Sequence, residues 1–431
     1  MIQSVVAPPG TPVGRAQSKF PVSLVALLAV ALLINYVDRG ILSTAAPQIE
    51  RELGLTPSQL GWVLSAFFWT YVSCQPLMGW FADHFGAARV LAAGFVLWSV
   101  STSLTGLAAG IAGLVTIRLL MGVGESVAYP SALALLAQRV TDRHRTRATA
   151  VMQLGALTGP AAGTFIGGLV MVRYGWRAMF MGLGLVALLW LIPWSRQVRA
   201  DQVVIGAADT PGVVPPSFAD IFRQRAMWGG MLGTFCANYS IYIIFTWMPL
   251  YLVHEGGLSL LSMTHLMSEF YLTDAAGALV TGWLLYAWML RGATPNRAYK
   301  TALGLSAGGV GVCLLVWSAA GPSSAAVLLL TAGFMDGLAS ASIASVTQHF
   351  AGPLASGRWI GVQNSIGNVG SMVAPVVTGY VVQSTGHYTA ALWSGGAVAL
   401  LGLVGWLVVV PEVLPVNWGS RTKAVPAADP A

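Results

Sequence analysis

The chain has 431 residues, of which 56% are hydrophobic and only 9% charged, with a formal net charge of +7. Soluble domains carry about 25% charged residues and stop extending a single core at about 250–300 residues, so a mean hydropathy of +0.71 does not describe one buried core. A solvated, disordered or nucleic-acid-binding chain is excluded, and a polytopic membrane protein remains.

Residues 1–21 are punctuated by Pro and Gly, show no cleavable leader, and read as a disordered cytoplasmic tail. Apolar stretches long enough to cross a bilayer, about 20 residues each, then follow at 22–45, 58–82, 89–107, 110–138, 148–172 and 176–195. They form a first bundle, residues 22–195. The longest polar stretch, 196–225, reads as a cytoplasmic linker. A second set at 227–253, 263–290, 300–319, 322–348, 359–383 and 387–410 forms a second bundle, residues 226–411. Residues 412–431 read as another disordered tail. The expected fold is all-α: twelve transmembrane helices in two pseudo-symmetric six-helix bundles.

Arg and Lys are distributed unevenly between the connections. Seventeen fall in the even connections and the tails, against three (Arg51, Arg173 and Arg177) in the odd ones. This positive-inside bias places both termini in the cytoplasm, and the positive charge is a topology signal rather than a nucleic-acid footprint. Cys74, Cys236 and Cys313 lie within spans, so no disulfide framework is expected. The histidines are scattered, and no phosphate-cradling loop or nucleophile motif is present. Neither a metal, a cofactor nor an enzymatic activity is expected.

A charge at the centre of a span costs about 2.5–3.5 kcal/mol on insertion scales, and the first bundle holds four: Asp38, Arg39, Arg118 and Glu125. Arg118 and Glu125 are two helical turns apart, so they share one face at about 10 Å separation. Asp38 and Arg39 diverge by about 100° around their helix and point to different neighbours. Packing alone is achieved more cheaply with Gly and Ala. The functional reading assigns the arginines to an anion, which a guanidinium grips through two parallel hydrogen bonds. The acids then serve as proton sites, since burial and a nearby arginine shift a carboxyl in opposite directions.

Between the second and third spans, GWFADHFGAARV carries Gly79, Asp83, Gly86 and Arg89 at a spacing suited to a tight cytoplasmic turn and a gating latch. The corresponding second-half loop begins at Gly282 and has Tyr286 where the acid would stand. A shift of 211 residues lays Arg147 on Arg358, Gln153 on Asn364, Gly159 on Gly370, Gly168 on Gly379 and Gly175 on Gly386. This register indicates duplication, and parallel six-span repeats imply a substrate site near the midplane between the halves. The same shift lays Glu125 on Asp336, a candidate third proton site. Asp274 stays open, and Glu269 is read as solvated at its span end. Tyr239, Tyr242 and Trp247 offer rings to a substrate or to packing, with packing favoured for Trp247.

Four segments carry a specific resemblance: INYVDRGILSTAAPQIERELGLTPSQLGWVLSAFFWTYV at 34–72, RLLMGVGESVAYPS at 118–131, YGWRAMF at 174–180 and NYSIYIIFTWMPLYL at 238–252. With the 79–90 loop, they resemble the anion–cation symporter family of the major facilitator superfamily, and most nearly its bacterial proton-coupled galactonate and hexuronate branch. That resemblance implies proton-handling acids at Asp38 and Glu125, anion-binding arginines at Arg39 and Arg118, and cavity tyrosines at Tyr36 and Tyr71. It also implies a polar eleventh-span site at Asn364, with Asn368 one turn on. The substrate set is completed by Gln153 and Tyr242, and by Ser342 and Ser345 on a tenth span that lacks the branch's tryptophan.

The expected function is a proton-coupled symporter that imports a small organic anion, a sugar acid or other carboxylate, by alternating access. The expected setting is the inner membrane, as a monomer among lipids with no nucleic-acid partner. The alternatives are a facilitator-type drug or metabolite exporter, which the paired cavity arginines disfavour, and more remotely a non-transporting sensor, for which the tails are too short.

Overall fold

A computed structural model describes residues 20–200 and 216–418, and is helical throughout apart from short connections. Most of the expected tails and part of the linker lie outside the described residues. The first half comprises α1 (Val22–Leu53), α2 (Pro57–Phe85), α3 (Ala87–Thr105), α4 (Ile111–Arg139), α5 (142–174) and α6 (176–200). After a short helix at Phe218–Phe222, the second half holds α7 (Arg225–His254), α8 (Leu260–Leu290), α9 (Pro295–Ala320), α10 (Pro322–Gly352), α11 (Ala355–Thr385) and α12 (Thr389–Val409).

These helices are longer than the apolar stretches because local signals, not hydropathy, end them. Gly54 closes α1 in the left-handed region at φ 62°. Thr56 and Gln59 form a capping box at the start of α2, and Ser259 and Thr294 cap α8 and α9. Gly175 (φ 81°) and Gly352 (φ 60°) break what would otherwise be continuous helices into α5–α6 and α10–α11.

Among the described residues, nine stretches are long and apolar enough to cross a membrane, one of which, Arg147–Gln197, contains both α5 and α6. The remaining two spans, α2 and α8, are more polar because part of their surface faces the other half rather than lipid. Ser65 of α2 donates to the Met372 carbonyl at 2.6 Å, and Thr264 of α8 abuts Gly168 of α5.

The halves are built alike. In the first, α1 packs on α5, α2 on α4, and α3 on α6; in the second, α7 packs on α11, α8 on α10, and α9 on α12. Glycines at matched positions bring these pairs to backbone contact. A methyl on Gly122 would strike the Phe67 carbonyl, and one on Gly333, 211 residues later, the Phe270 carbonyl. Gly159 and Gly370 do the same against α1 and α7. Without a hydrophobic drive between helices in lipid, such close approach is what holds them.

The halves join at the end away from the tails. Ser58 N–H donates to Gln383 Oε1 at 3.2 Å, Trp62 Nε1 to Tyr380 OH at 3.4 Å, and Glu50 Oε2 lies 3.6 Å from His254 Nε2. Gly61 and Gly379 let α2 and α11 touch backbone to backbone there. Trp247 is buried, and its indole donates to the Pro375 carbonyl at 3.1 Å, so it packs rather than meeting lipid.

Candidate functional site

Close helix contacts aim the four charged residues. Gly155, Gly159 and Gly163 press α5 onto α1, while Gly122 and Gly124 seat α4 against α2 and α3. The regular helix of α4 is interrupted directly after Glu125. Asp38 turns away from the midline, and Thr102 Oγ1 on α3 donates to its Oδ2 at 3.0 Å. Arg39 turns towards α4, its Nε 3.7 Å from Glu125 Oε2. Its guanidinium carbon lies 4.3 Å from the Tyr36 ring centre, 5.0 Å from Tyr71 and 5.3 Å from Phe67. The Arg118 guanidinium is 5.0 Å from the same Phe67 ring, and its Nη1 is 3.0 Å from Met121 Sδ. Phe67 is thus a shared aromatic surface for both cations.

Asp38, Arg118 and Glu125 are 4%, 5% and 1% exposed. Arg39 Nε and Nη2, and Arg118 Nε, are buried without a hydrogen-bond partner. An unmatched buried donor costs about 1–3 kcal/mol. Both arginines border a chamber of about 540 Å³ between the halves, also lined by Tyr36, Phe68, Tyr129 and Gln153 from the first half and by Tyr242, Phe245, Tyr271, Asp274 and Ser340 from the second. The lining reaches towards the tail end as far as Ala150 and Ala344. Asp38 and Glu125 stand behind the arginines, outside the lining.

The expected site residues divide into those at the chamber and those elsewhere. Arg39, Arg118, Tyr36, Gln153 and Tyr242 line it, with Tyr129 OH donating to Gln153 Oε1 at 2.7 Å and Tyr242 meeting Phe68 edge-on across the halves at 4.9 Å. Tyr71 lies behind the wall, stacked on Phe67 at 5.1 Å. Asn364 and Asn368 do not line it. Asn368 Nδ2 donates to the Asn364 carbonyl at 2.9 Å, and both continue, towards the tail end, the strip of α11 that packs on α2 at Met372 and Pro375.

Ser342 and Ser345 also lie off the chamber, donating to the Leu338 and Ala341 carbonyls at 2.7 and 2.9 Å. The lining residues of α10 are instead Ser340, Ala341 and Ala344, because helical period puts 342 and 345 on the inner face of the second bundle. Asp336 borders a small internal void with Ser240, Ser306 and Trp406, so like Glu125, its match under the 211-residue shift, it lies outside the chamber lining. In the 79–90 loop, Gly86 makes the turn at φ 88°, Arg89 N–H donates to its carbonyl at 3.0 Å, and Gly79 lies within α2 opposite Pro130. The Asp83 side chain lies outside what is described.

Tyr129, Tyr271 and Phe67 were not anticipated at the chamber. Tyr129 follows Glu125 by one turn and Tyr271 precedes Asp274 by one turn, a spacing that carries the signal.

Comparison with known proteins agrees with this architecture. Residues 28–357 match the Major Facilitator Superfamily. The chain is 29% identical over 403 residues to a probable sulfoacetate transporter of Cupriavidus necator, covering 90% of this chain and 93% of that protein. It is 26% identical to a D-galactonate transporter of Escherichia coli, covering 90% and 95%, and 28% identical to a hexuronate transporter of Bacillus subtilis, covering 93% and 96%. A crystal structure of a bacterial homologue of the human lysosomal transporter Spinster, inward-facing and occupied, aligns with a TM-score of 0.71 at 15% identity, covering 90% of this chain and 94% of that one.

Proposed function

The chain belongs to the major facilitator superfamily, and we propose on that premise that it is a proton-coupled symporter that imports a small organic anion by alternating access. The observation that carries this reading is the pair Arg39 and Arg118 at the inter-half chamber, where Arg39 Nε and Nη2 and Arg118 Nε make no hydrogen bond and the one carboxylate near Arg39, Glu125, stands at 3.7 Å. Such donors suit a carboxylate or sulfonate, which accepts two parallel N–H bonds. The names of the sulfoacetate, galactonate and hexuronate relatives point the same way.

Asp38 and Glu125 are the proton sites in this reading. Each stands one residue or one ion-pair contact from an arginine, so an anion arriving at the arginines changes what stabilises the acids. The protein acts as a monomer in the inner membrane with both tails cytoplasmic, an orientation that the positive-inside bias supports. In that orientation the chamber opens to the cytoplasm and the joined end is the outer gate. Arg89 and the Gly86 turn belong to the inner gate.

A thermal-shift screen of the purified protein against carboxylates and sulfonates tests the proposal, because a ligand stabilises the state it binds. Stabilisation by at least one anion is expected, with uptake into proteoliposomes driven by an inwardly directed pH gradient. Binding without any response of uptake to that gradient would reject proton coupling.

A further inference from the structure

The chamber is electrically two-sided. Both cations in its lining, Arg39 and Arg118, come from the first half, and the second half contributes a carboxylate, Asp274 on α8. Asp274 Oδ1 is buried and accepts no hydrogen bond. The hydroxyls nearest to it in sequence and across the α8–α10 contact are already committed: Thr273 Oγ1 donates to the Phe270 carbonyl at 2.8 Å and Ser340 Oγ to the Gly337 carbonyl at 3.0 Å. Gly337 brings α10 onto the backbone of Asp274. The second-half wall therefore presents the Asp274 carboxyl with no positive group of its own in the lining. The rest of that wall mixes small aliphatic side chains with the hydroxyls of Tyr242, Thr246, Tyr271 and Ser340, none of which carries a positive charge.

We propose that Asp274 is a specificity residue for the far end of the cargo, and that the cargo is zwitterionic, an ω-amino carboxylate or ω-amino sulfonate. Its acid group sits at Arg39 and Arg118, and its ammonium group donates to Asp274. This deepens the proposed anion transport and rests on it. An ammonium supplies the Oδ1 oxygen with a charge-assisted hydrogen bond and favours the ionised carboxylate of Asp274. A hydroxyl would supply only a dipole.

Purified protein is titrated with 5-aminopentanoate, 5-hydroxypentanoate and pentanoate, three probes of equal chain length that share the carboxylate. Shorter and longer ω-amino acids (β-alanine, 4-aminobutanoate, 6-aminohexanoate) locate the preferred span. In the wild type, the best amino acid should bind at least about tenfold more tightly than its unsubstituted carboxylate, a difference of about 1.4 kcal/mol. Asp274→Asn should erase that preference by weakening the amino probe, while the plain carboxylate still binds. Asp274→Glu should keep it and move it towards the shorter probe.

Equal binding of the amino and plain probes, or tighter binding of the hydroxy probe, would overturn the zwitterion assignment. So would an undiminished preference in a folded Asp274→Asn. Failure of every carboxylate to bind the wild type would instead overturn the anion-transport reading itself, and Arg118→Ala distinguishes the two, because it should lose all probes alike.

Discussion

At the scale of single residues, the chamber separates two jobs between neighbours on one helix. Asp38 and Arg39 are adjacent, yet the helical turn between them sends one to Thr102 on α3 and the other to the chamber and Glu125. In the proposed mechanism, anion binding falls to the arginines and proton handling to the acids behind them. Arg39→Lys and Arg118→Ala should each abolish anion-induced thermal stabilisation while the protein stays folded, since an ammonium lacks the planar fork. Wild-type affinity in Arg118→Ala would remove that residue from the site. Asp38→Asn and Glu125→Gln should block pH-driven accumulation yet preserve exchange of labelled for unlabelled cargo across proteoliposome membranes. Exchange needs the cargo site but no net discharge of protons. Accumulation that persists against a gradient in both variants would contradict this assignment.

At the scale of helices, what matters is where the halves touch and how firmly. The joined end rests on backbone contact between α2 and α11 at Gly61 and Gly379, supplemented by side-chain bonds. One of these is tunable: Glu50 on α1 pairs with His254 on α7 at 3.6 Å, and the histidine is oriented by Tyr388 OH 3.1 Å from its Nδ1. The tyrosine is in turn fixed by its backbone N–H donating to Glu255 Oε1 at 2.9 Å. A half-exposed pair of this kind contributes about 0.2–1 kcal/mol, enough to bias two conformations without dictating one. Glu50→Gln should raise the fraction of molecules open at this end by roughly two- to threefold, as expected for about 0.5 kcal/mol. Spin labels at the exposed positions Arg51 and Ser384, on opposite halves, would report the change as a longer distance population. An unchanged distance distribution would show that backbone packing alone holds the gate.

At the scale of the whole molecule, the central charges set the electrical character of transport. One proton carried with a monoanion moves no net charge and draws only on the pH gradient, about 1.4 kcal/mol per unit. Two protons carry one net positive charge and gain about 2.3 kcal/mol per 100 mV of membrane potential. With Asp38 and Glu125 as the two proposed proton sites, a monoanion, or a zwitterion of net zero charge, should evoke an inward positive current from reconstituted protein on a solid-supported membrane. Uptake without current would mean that one proton accompanies a monoanion, or that none accompanies a zwitterion. Asp336 lies in the second bundle beside a small void rather than at the chamber, and a current altered in Asp336→Asn would bring that half into the proton count.

The outline of this protein was legible in its residues alone. Hydropathy and charge asymmetry mark the spans, because lipid admits neither free backbone groups nor unpaired charge. The 211-residue register exposes the duplication, because close helix approach demands small residues at repeated positions. Asp38, Arg39, Arg118 and Glu125 stood out for the same energetic reason.

What the linear pattern did not carry is direction. A hydroxyl or carboxyl inside a span is equally visible to the sequence whether it faces the chamber, a bundle core or its own backbone. Ser342 and Ser345 resemble Ser340 in composition and differ from it only by rotation around α10. Asp336 and Asp274 are both buried acids, but only the α8–α10 contact at Gly337 puts one at the chamber and the other behind it. Rotation about a helix axis is set by tertiary packing, since in a bundle polar side chains can be satisfied on several faces, and that is why the tertiary structure alone decided which polar residues face the chamber.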